Sequence, residues 1–476
     1  MSSLASFRDP GGFCFVQEGR FFRAVHPDAV SEITAFLKSN TANDLIKSRR
    51  LIGSRRLNPA EQAQTLQHQG LQQLVKQKAI EGVFEHERID FPGYPYEWAP
   101  EMLHAAAVLT LDLAQAALKE GYSLKDASPY NILFRGSDPV FVDLLSFERR
   151  NPCDPIWKPH AQFCRTFLLP LLAHKFWGIR LADIFSTRRD GLEPAEVYRL
   201  CGTLQKLRRP FLSLVTLPVW LSRRKTGKAT YRERLLNNPE KARFILNASF
   251  GQLRRMLRSV RPGTNENSHW TQYSDSNSYT DSAFREKEDY LSAFLREAKP
   301  RRVLDVGANT GHFSVLAAKS GADVVAIDSD ADCIGILWRR AHKETLPILP
   351  LVIDVSLPSA AKGWRNRECS GFLDRAEKSF DTVILFGILH HLIVTERVPL
   401  EEILDLAAGL TRRWLLIEFI APQDSMFRII ARGRDALYSD LTKERFETAC
   451  RRDFVIASSR QLPGMNRCIY LLRKPE

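Results

Sequence analysis

The 476-residue chain has no uninterrupted apolar run long enough to cross a bilayer. From Met1 to Arg20 it lacks the basic region followed by an apolar stretch that marks a secretory leader. The expected location is therefore the cytoplasm. Its eight cysteines, at positions 14, 153, 164, 201, 333, 369, 450 and 468, form no Cys-x-x-Cys pair, which argues against zinc and against a redox dithiol. Reduced thiols are expected. Internal repeats and long low-complexity tracts are missing too. The cationic excess is concentrated in one place. Between Lys206 and Arg261 there are 15 Lys/Arg against Glu233 and Glu240, an excess that equals the whole net charge of +13. The basicity thus belongs to one segment, which weakens any general case for a nucleic-acid binder. A hydrophobic content of 44% and a charged content of 26% are those of a globular protein, and the length allows two or three domains with sizeable cores.

Three regions follow from the pattern. Residues 1–202 mix short strands and helices. Residues 203–282 hold the basic stretch and then a polar segment, Thr264 to Ser282, that reads as a linker or lid. Residues 283–476 alternate strand and helix, the pattern of an α/β, doubly wound parallel sheet. Strands are expected at Arg302–Gly307, Asp323–Asp328, Leu349–Asp354, Asp381–Phe386 and Trp414–Phe419. Helices are expected at His312–Ser320, Ala331–His342 and Leu400–Leu410. A helix at Thr442–Arg452 then precedes two strands, Phe454–Ser458 and Arg467–Leu472, joined through Pro463-Gly464 as an antiparallel hairpin.

The sharpest local signal is the run VLDVGANTGHF, Val303 to Phe313. An apolar strand enters a Gly-x-x-x-Gly turn and leaves it as a helix, and Gly307 and Gly311 allow a tight turn and close approach of a ligand. A dinucleotide fingerprint would need further glycines where Asn309 and His312 stand, so a pyrophosphate is a poor fit. Asp305, Asp328 and Asp354 end three successive expected strands. LDVGANTG resembles the first motif, and AIDSD the second, of class I S-adenosylmethionine-dependent methyltransferases. The likeness spans nearly all of Arg301 to Lys474. It implies a Rossmann-like seven-stranded sheet with the last strand antiparallel, S-adenosylmethionine as cofactor, and Asp305, Gly307, Asn309, Gly311, Asp328 and Asp354 as cofactor residues. The chemistry suits that ligand, which has an ammonium, a carboxylate, a sulfonium and a ribose but no phosphate. Asp305 would face the cationic end, Asp328 would accept both ribose hydroxyls, and Asp354 would lie near the adenine amino group. The competing reading is three ordinary strand-end carboxylates.

Methyl transfer is an in-line displacement in which a protein supplies proximity and, for some acceptors, a base. The fourth expected strand runs into ILHHL, making His390 and His391 the candidates for a base or an acceptor-orienting group. The alternative is that they cap the strand and pack on the cofactor. Glu418, in IEF, either points at the acceptor or is structural. Trp270, Tyr273 and Tyr279 are candidates to cover the site.

The first region has its own constellation. Asp126 and Asn131 lie five apart in LKDASPYNI, and Asp143 follows on an apolar strand in VDLLSFE. This resembles the catalytic loop and metal-binding strand of protein kinases and aminoglycoside phosphotransferases. The resemblance implies an α+β kinase-like domain, ATP, an acceptor-orienting Asp126, and magnesium held by Asn131 and Asp143. No proper glycine-rich loop accompanies it. Arg23 stands where a phosphate-gripping lysine is expected, with Glu32 as its acidic partner. The two-part layout resembles a bacterial family of nodulation-associated methyltransferases, through YPYEW, LKDASPYNI, VDLLSFE and HAQFC in the first half and LDVGANTG, ILHHL and IEF in the second.

The basic stretch contains a mostly apolar run, Arg208 to Lys225, flanked by cations. It reads as a surface for an anionic membrane or RNA, or as an internal element with solvated basic faces. Pro218 is expected to interrupt a continuous helix there. Three functions remain in view: a methyltransferase whose first domain recruits or prepares an unidentified acceptor, a kinase-like phosphotransferase fused to a methyltransferase, and a non-catalytic nucleic-acid or membrane adaptor.

Overall fold

The computed structural model describes residues 3–6, 8–67, 71, 79–223, 235–263 and 279–475. Trp270, Tyr273 and the cations from Arg224 to Arg234 lie outside the described residues. The chain divides into two compact units, Met1–Arg135 with Pro139–Gly263 and Gly363–Cys369, and Gly136–Asp138 with Thr264–Lys362 and Ser370–Glu476.

The first unit is α+β. Strands β1 (Ser3–Ser6), β2 (Gly12–Gln17), β3 (Arg20–Val25), β4 (Ser54–Arg56) and β5 (Gly82–His86) form an antiparallel sheet in the order β1-β2-β3-β5-β4. The β2–β3 turn needs two left-handed residues in succession, and Glu18 (φ 51°) and Gly19 (φ 74°) supply them. One face buries Phe13, Phe15, Phe22 and Val83. The period of two sends Cys14 and Arg23 to the opposite face, where they too are buried. Two small sheets follow, β6 (Tyr122–Leu124) with β9 (Phe147–Arg149), and β7 (Ile132–Arg135) with β8 (Asp138–Phe141).

The basic stretch does not stand apart as a 203–282 segment, as the charge pattern suggested. Its helix Pro239–Ser259, capped by Asn238 Oδ1, buries Leu246, Phe250, Leu253 and Leu257. Arg254 on that helix donates to Asp112 at 2.6 Å and to Gln115 at 2.8 Å on the helix Pro100–Leu118. Charge period and packing period coexist here because a helix shows different faces to water and core. Nor does Pro218 break the chain's helical course. A wide π-type turn at Leu212–Thr216 runs directly into the helix Leu217–Arg223, and such a turn relieves the clash of the ring with the preceding carbonyls.

The second unit is the expected doubly wound sheet. Strands β10 (Arg302–Val306), β11 (Asp323–Asp328), β12 (Ile348–Val352), β13 (Phe380–Leu385), β14 (Thr411–Ile420), β15 (Val455–Gln461) and β16 (Arg467–Arg473) are ordered β12-β11-β10-β13-β14-β16-β15. The first five are parallel, and β16 runs antiparallel to both neighbours. The central strands are near-continuous apolar runs because helices cover both faces. The order reverses at β10, with β11 on one side and β13 on the other, and the crevice beyond their carboxyl ends is where such sheets bind ligands. Two strand ends differ from expectation. β12 stops at Val352, so Asp354 lies beyond it, exposed, its Oδ1 accepting from Ser356 N at 2.8 Å and Ser356 Oγ at 2.6 Å. β8 stops at Phe141, so Asp143 also follows its strand.

The helix Asp281–Ala298, capped by Thr280, is fastened to the sheet by buried charge. Lys287 Nζ donates to Glu418 Oε2 at 2.6 Å, with both side chains at or below 3% exposure. The Tyr279 hydroxyl donates to Glu418 Oε1 at 2.7 Å and accepts from Lys287 Nζ at 3.1 Å. The ammonium is enclosed by the rings of Tyr279, Phe313 and Phe386, 4.6, 5.0 and 4.7 Å from their centroids. Arg467 clasps Asp424 through two bonds of 2.8 and 2.9 Å, stands 3.9 Å from Glu418, and covers the Tyr279 ring. Burial pulls the Lys287 pKa down, and Glu418 opposes it. Removing one partner leaves an uncompensated buried charge, so Lys287→Met is expected to lose about 3–5 kcal/mol. Adding Glu418→Gln should restore a large part of that loss. Urea denaturation of the two single variants and the double variant checks this, and additive losses would rule out the pair as a coupled unit.

Candidate cofactor and acceptor site

The turn after β10 is built from three left-handed residues, Gly307 (φ 73°), Asn309 (φ 49°) and Gly311 (φ 81°). A Cβ on Gly311 would fall 2.1 Å from Leu337 Cδ1 and one on Gly307 3.0 Å from Ile388 Cδ1. The two glycines therefore answer to sterics as well as to dihedral angle. Asn309 closes the turn by donating its backbone N–H to Asp328 Oδ2 at 2.8 Å, while its own Oδ1 accepts from Thr310 N at 2.6 Å. Asp328 Oδ1 also accepts from Asp330 N at 2.9 Å. The Ser329 backbone N–H also reaches this carboxylate, and of its about four lone-pair sites one is left to accept a ligand hydroxyl.

Asp305 is buried, with Oδ2 accepting from Ser314 Oγ at 2.5 Å. Burial pushes its pKa up to about 6, and the nearby Asp328 charge adds to the rise. A carboxylate held that way gains from a cationic neighbour. A buried acid beneath a glycine turn that backbone can approach closely fits the ammonium end of S-adenosylmethionine. Of the six expected cofactor residues, the fold brings Asp305, Gly307, Asn309, Gly311 and Asp328 to this one turn and its flanks, while Asp354 stands exposed beyond the third strand.

His390 is the second residue of the helix Leu389–Val394, which follows the left-handed Gly387 (φ 66°). It is 3% exposed, and neither ring nitrogen has a hydrogen-bond partner among the described residues. Burial holds its pKa well below the usual imidazole value, and His391, Arg467 and Lys287 push the same way. It is thus a neutral ring with unspent hydrogen-bonding capacity. His391 is half-buried, 4.3 Å from His390 between ring centroids, with burial lowering its pKa. Glu418 is fully buried and engaged by Lys287 and Tyr279, so the structure places it inside the ion network rather than at an open face. Sequence reading missed Lys287, Asp424 and Arg467. Pairing of Ile420 with Arg467 across β14–β16 puts that arginine two positions from Glu418 on one face, but the register is visible only in the folded sheet.

In the first unit, Asp126, Asn131 and Asp143 do converge. Asp126 Oδ1 accepts from Asn131 Nδ2 at 2.6 Å and from Ser146 Oγ at 2.8 Å, and Ser146 Oγ lies 2.7 Å from Asp143 Oδ2. Burial raises the Asp126 pKa, and the Asp143 charge adds to it. Arg23, buried, lies 2.9 Å from Asp143 Oδ1. Its partner is therefore Asp143 and not Glu32, whose Oε1 instead accepts from Arg149 N at 2.5 Å. The donor set suits a hard cation only in part. Asn131 keeps its amide oxygen, but the Arg23 guanidinium already compensates Asp143, and any magnesium would compete with it. No group of three or more His, Cys, Asp or Glu poised for a metal occurs among the described residues.

A methyltransferase-domain family model matches residues 279–442. The nodulation protein NoeA of Rhizobium meliloti (strain 1021) is 29% identical over 475 residues, 99% of this chain and 96% of its own length. Solved structures similar to part of this chain include the N-methyltransferase NodS from Bradyrhizobium japonicum WM9, at 18% identity over 41% of this chain and 98% of that one, TM-score 0.31. The bifunctional kinase-methyltransferase WbdD matches at 19% identity over 42% of this chain and 41% of its own, TM-score 0.29. The chain is thus distantly related along its length to NoeA, and its C-terminal half is a class I S-adenosylmethionine-dependent methyltransferase domain.

Proposed function

We propose that this chain methylates an acceptor that its N-terminal, kinase-like unit recruits or prepares, with Asp305, Gly307, Asn309, Gly311 and Asp328 holding the cofactor. The observation that carries the cofactor assignment is Asp305, a buried carboxylate with a raised pKa under a left-handed glycine turn. When bound, S-adenosylmethionine supplies a methyl carbon activated by its sulfonium. In this reading the chain's residues do the rest. Asp305 pairs with the ammonium, Asp328 accepts ribose hydroxyls, and the turn admits the ligand without a Cβ in the way. Asp354, being exposed, has the weaker claim to an adenine contact. His390, whose ring nitrogens have no hydrogen-bond partner among the described residues, orients the acceptor by a hydrogen bond rather than holding a proton, since its low pKa makes it a weak base. His391 flanks it, and Glu418 acts through the Lys287–Tyr279 network.

With its pKa pushed up to about 6 by burial, Asp305 is expected to lose its charge, and with it the attraction for the ammonium, as pH falls through that value. S-adenosylhomocysteine, which keeps that ammonium, should bind progressively more weakly as pH falls, by up to about tenfold per unit. Calorimetric titration between pH 5 and 8 checks this. Asp305→Asn should bind weakly with no such slope, and a wild-type slope that survives in the variant would remove Asp305 from the site.

The convergence of Asp126, Asn131 and Asp143 on Ser146 favours a second reading, in which the first unit also takes ATP and magnesium and transfers phosphate. ATP with magnesium is then expected to raise the melting temperature of wild type and not of Asp143→Ala. If neither protein responds, recruitment of the acceptor without nucleotide is the reading that stands.

A further inference from the structure

One surface of the first unit has no role in either reading. Residues 197–223 contain five Lys/Arg and no Asp or Glu. In the described part of this stretch, the helices Pro194–Leu200, Thr203–Leu207 and Leu217–Arg223 and the π-type turn pack around buried Val197, Leu214, Val215 and Val219. Large apolar side chains also point the other way. On Leu217–Arg223, Leu217, Trp220 and Leu221 occupy positions i, i+3 and i+4, which is one face, and all three are exposed. Thr203–Leu207 buries no residue, and Leu204 and Leu207, three apart, are 74% and 60% exposed. Isolated exposed leucines are ordinary, but five large apolar groups within a stretch this short are not. Arg208 and Arg209 lie between them, exposed, with no carboxylate partner among the described residues.

We propose that this face docks on an anionic lipid bilayer, with the leucines and Trp220 entering the headgroup region and the flanking cations meeting lipid phosphates. Charge complementarity selects this occupant. A segment with cations, aliphatic side chains, an indole and no acid matches the interfacial zone, where each finds its own partner. RNA would satisfy the arginines but leave the leucines in water. No described helix is long and apolar enough to cross a membrane, so the contact is peripheral. It would hold the enzyme at a surface where lipid-borne acceptors are concentrated.

Flotation of the full-length protein with phosphatidylcholine vesicles, with and without phosphatidylglycerol, tests this. Binding is expected to the anionic vesicles only and to weaken as salt rises. Leu204→Glu/Leu207→Glu changes two exposed positions and should lower partitioning by at least about tenfold, and Arg208→Glu/Arg209→Glu should do likewise. Both variants should keep the wild-type thermal shift with S-adenosylhomocysteine, which separates a lost surface from a lost fold or a failed cofactor site. Equal binding to neutral and anionic vesicles, no binding to either, or full binding by the leucine variant would each overturn the proposal. Salt-sensitive RNA binding without vesicle binding would replace it with a nucleic-acid surface.

Discussion

The second unit depends on how a carboxylate survives inside a sheet. Glu418 sits in the fully buried end of β14, where an unpaired charge is prohibitively unfavourable. Lys287 reaches it from the helix Asp281–Ala298 and Tyr279 from just before that helix, while Arg467 and Asp424 balance the remaining charge. The net charge of the four ionised groups is zero, and three aromatic rings enclose the ammonium. Such a cluster adds little net stability over an apolar packing. It ties the helix Asp281–Ala298 to β14 and β16 through charged side chains. Lys287 and Arg467 also lie close enough to lower the His390 pKa, so the clasp and the candidate acceptor site share one electrostatic field.

The glycine turn shows a different economy. Asp328 stabilises the loop through Asn309, Ser329 and Asp330 backbone N–H groups and still has room to accept from a ligand. Asp305 is less well provided, with Ser314 alone donating from a side chain. The turn is thus complete as structure, and burial raises the pKa of both of its acids.

In the first unit the balance is reversed. Asp126, Asn131, Ser146 and Asp143 satisfy one another, and Arg23 supplies the positive charge two adjacent carboxylates require. A metal or nucleotide would have to displace these internal partners. Spacing in the sequence was enough to group the three polar residues, because a short loop returning beside its own strand leaves few alternatives. It was not enough to pair Arg23, whose partner lies 120 residues further on and could be chosen only by the packed sheet face.

The sequence by itself determined the sheet order's raw material: five apolar runs, most of them followed by a helix period, a terminal hairpin at Pro463-Gly464, and two glycines spaced for a ligand turn. These are local, since strand, turn and helix signals act over a few residues. Tertiary structure alone decided where strands stop, leaving Asp354 and Asp143 beyond them, and it absorbed the basic helix into the first unit through Leu246, Phe250 and Arg254. It also decided that Glu418 faces inward to Lys287 and Arg467, that the His390 ring nitrogens have no hydrogen-bond partner among the described residues, and that Leu204 and Leu221 are left in water. The reason is common to all of these. Burial, register and long-range charge pairing depend on which faces meet, and a linear pattern of apolar and charged residues carries no record of that meeting.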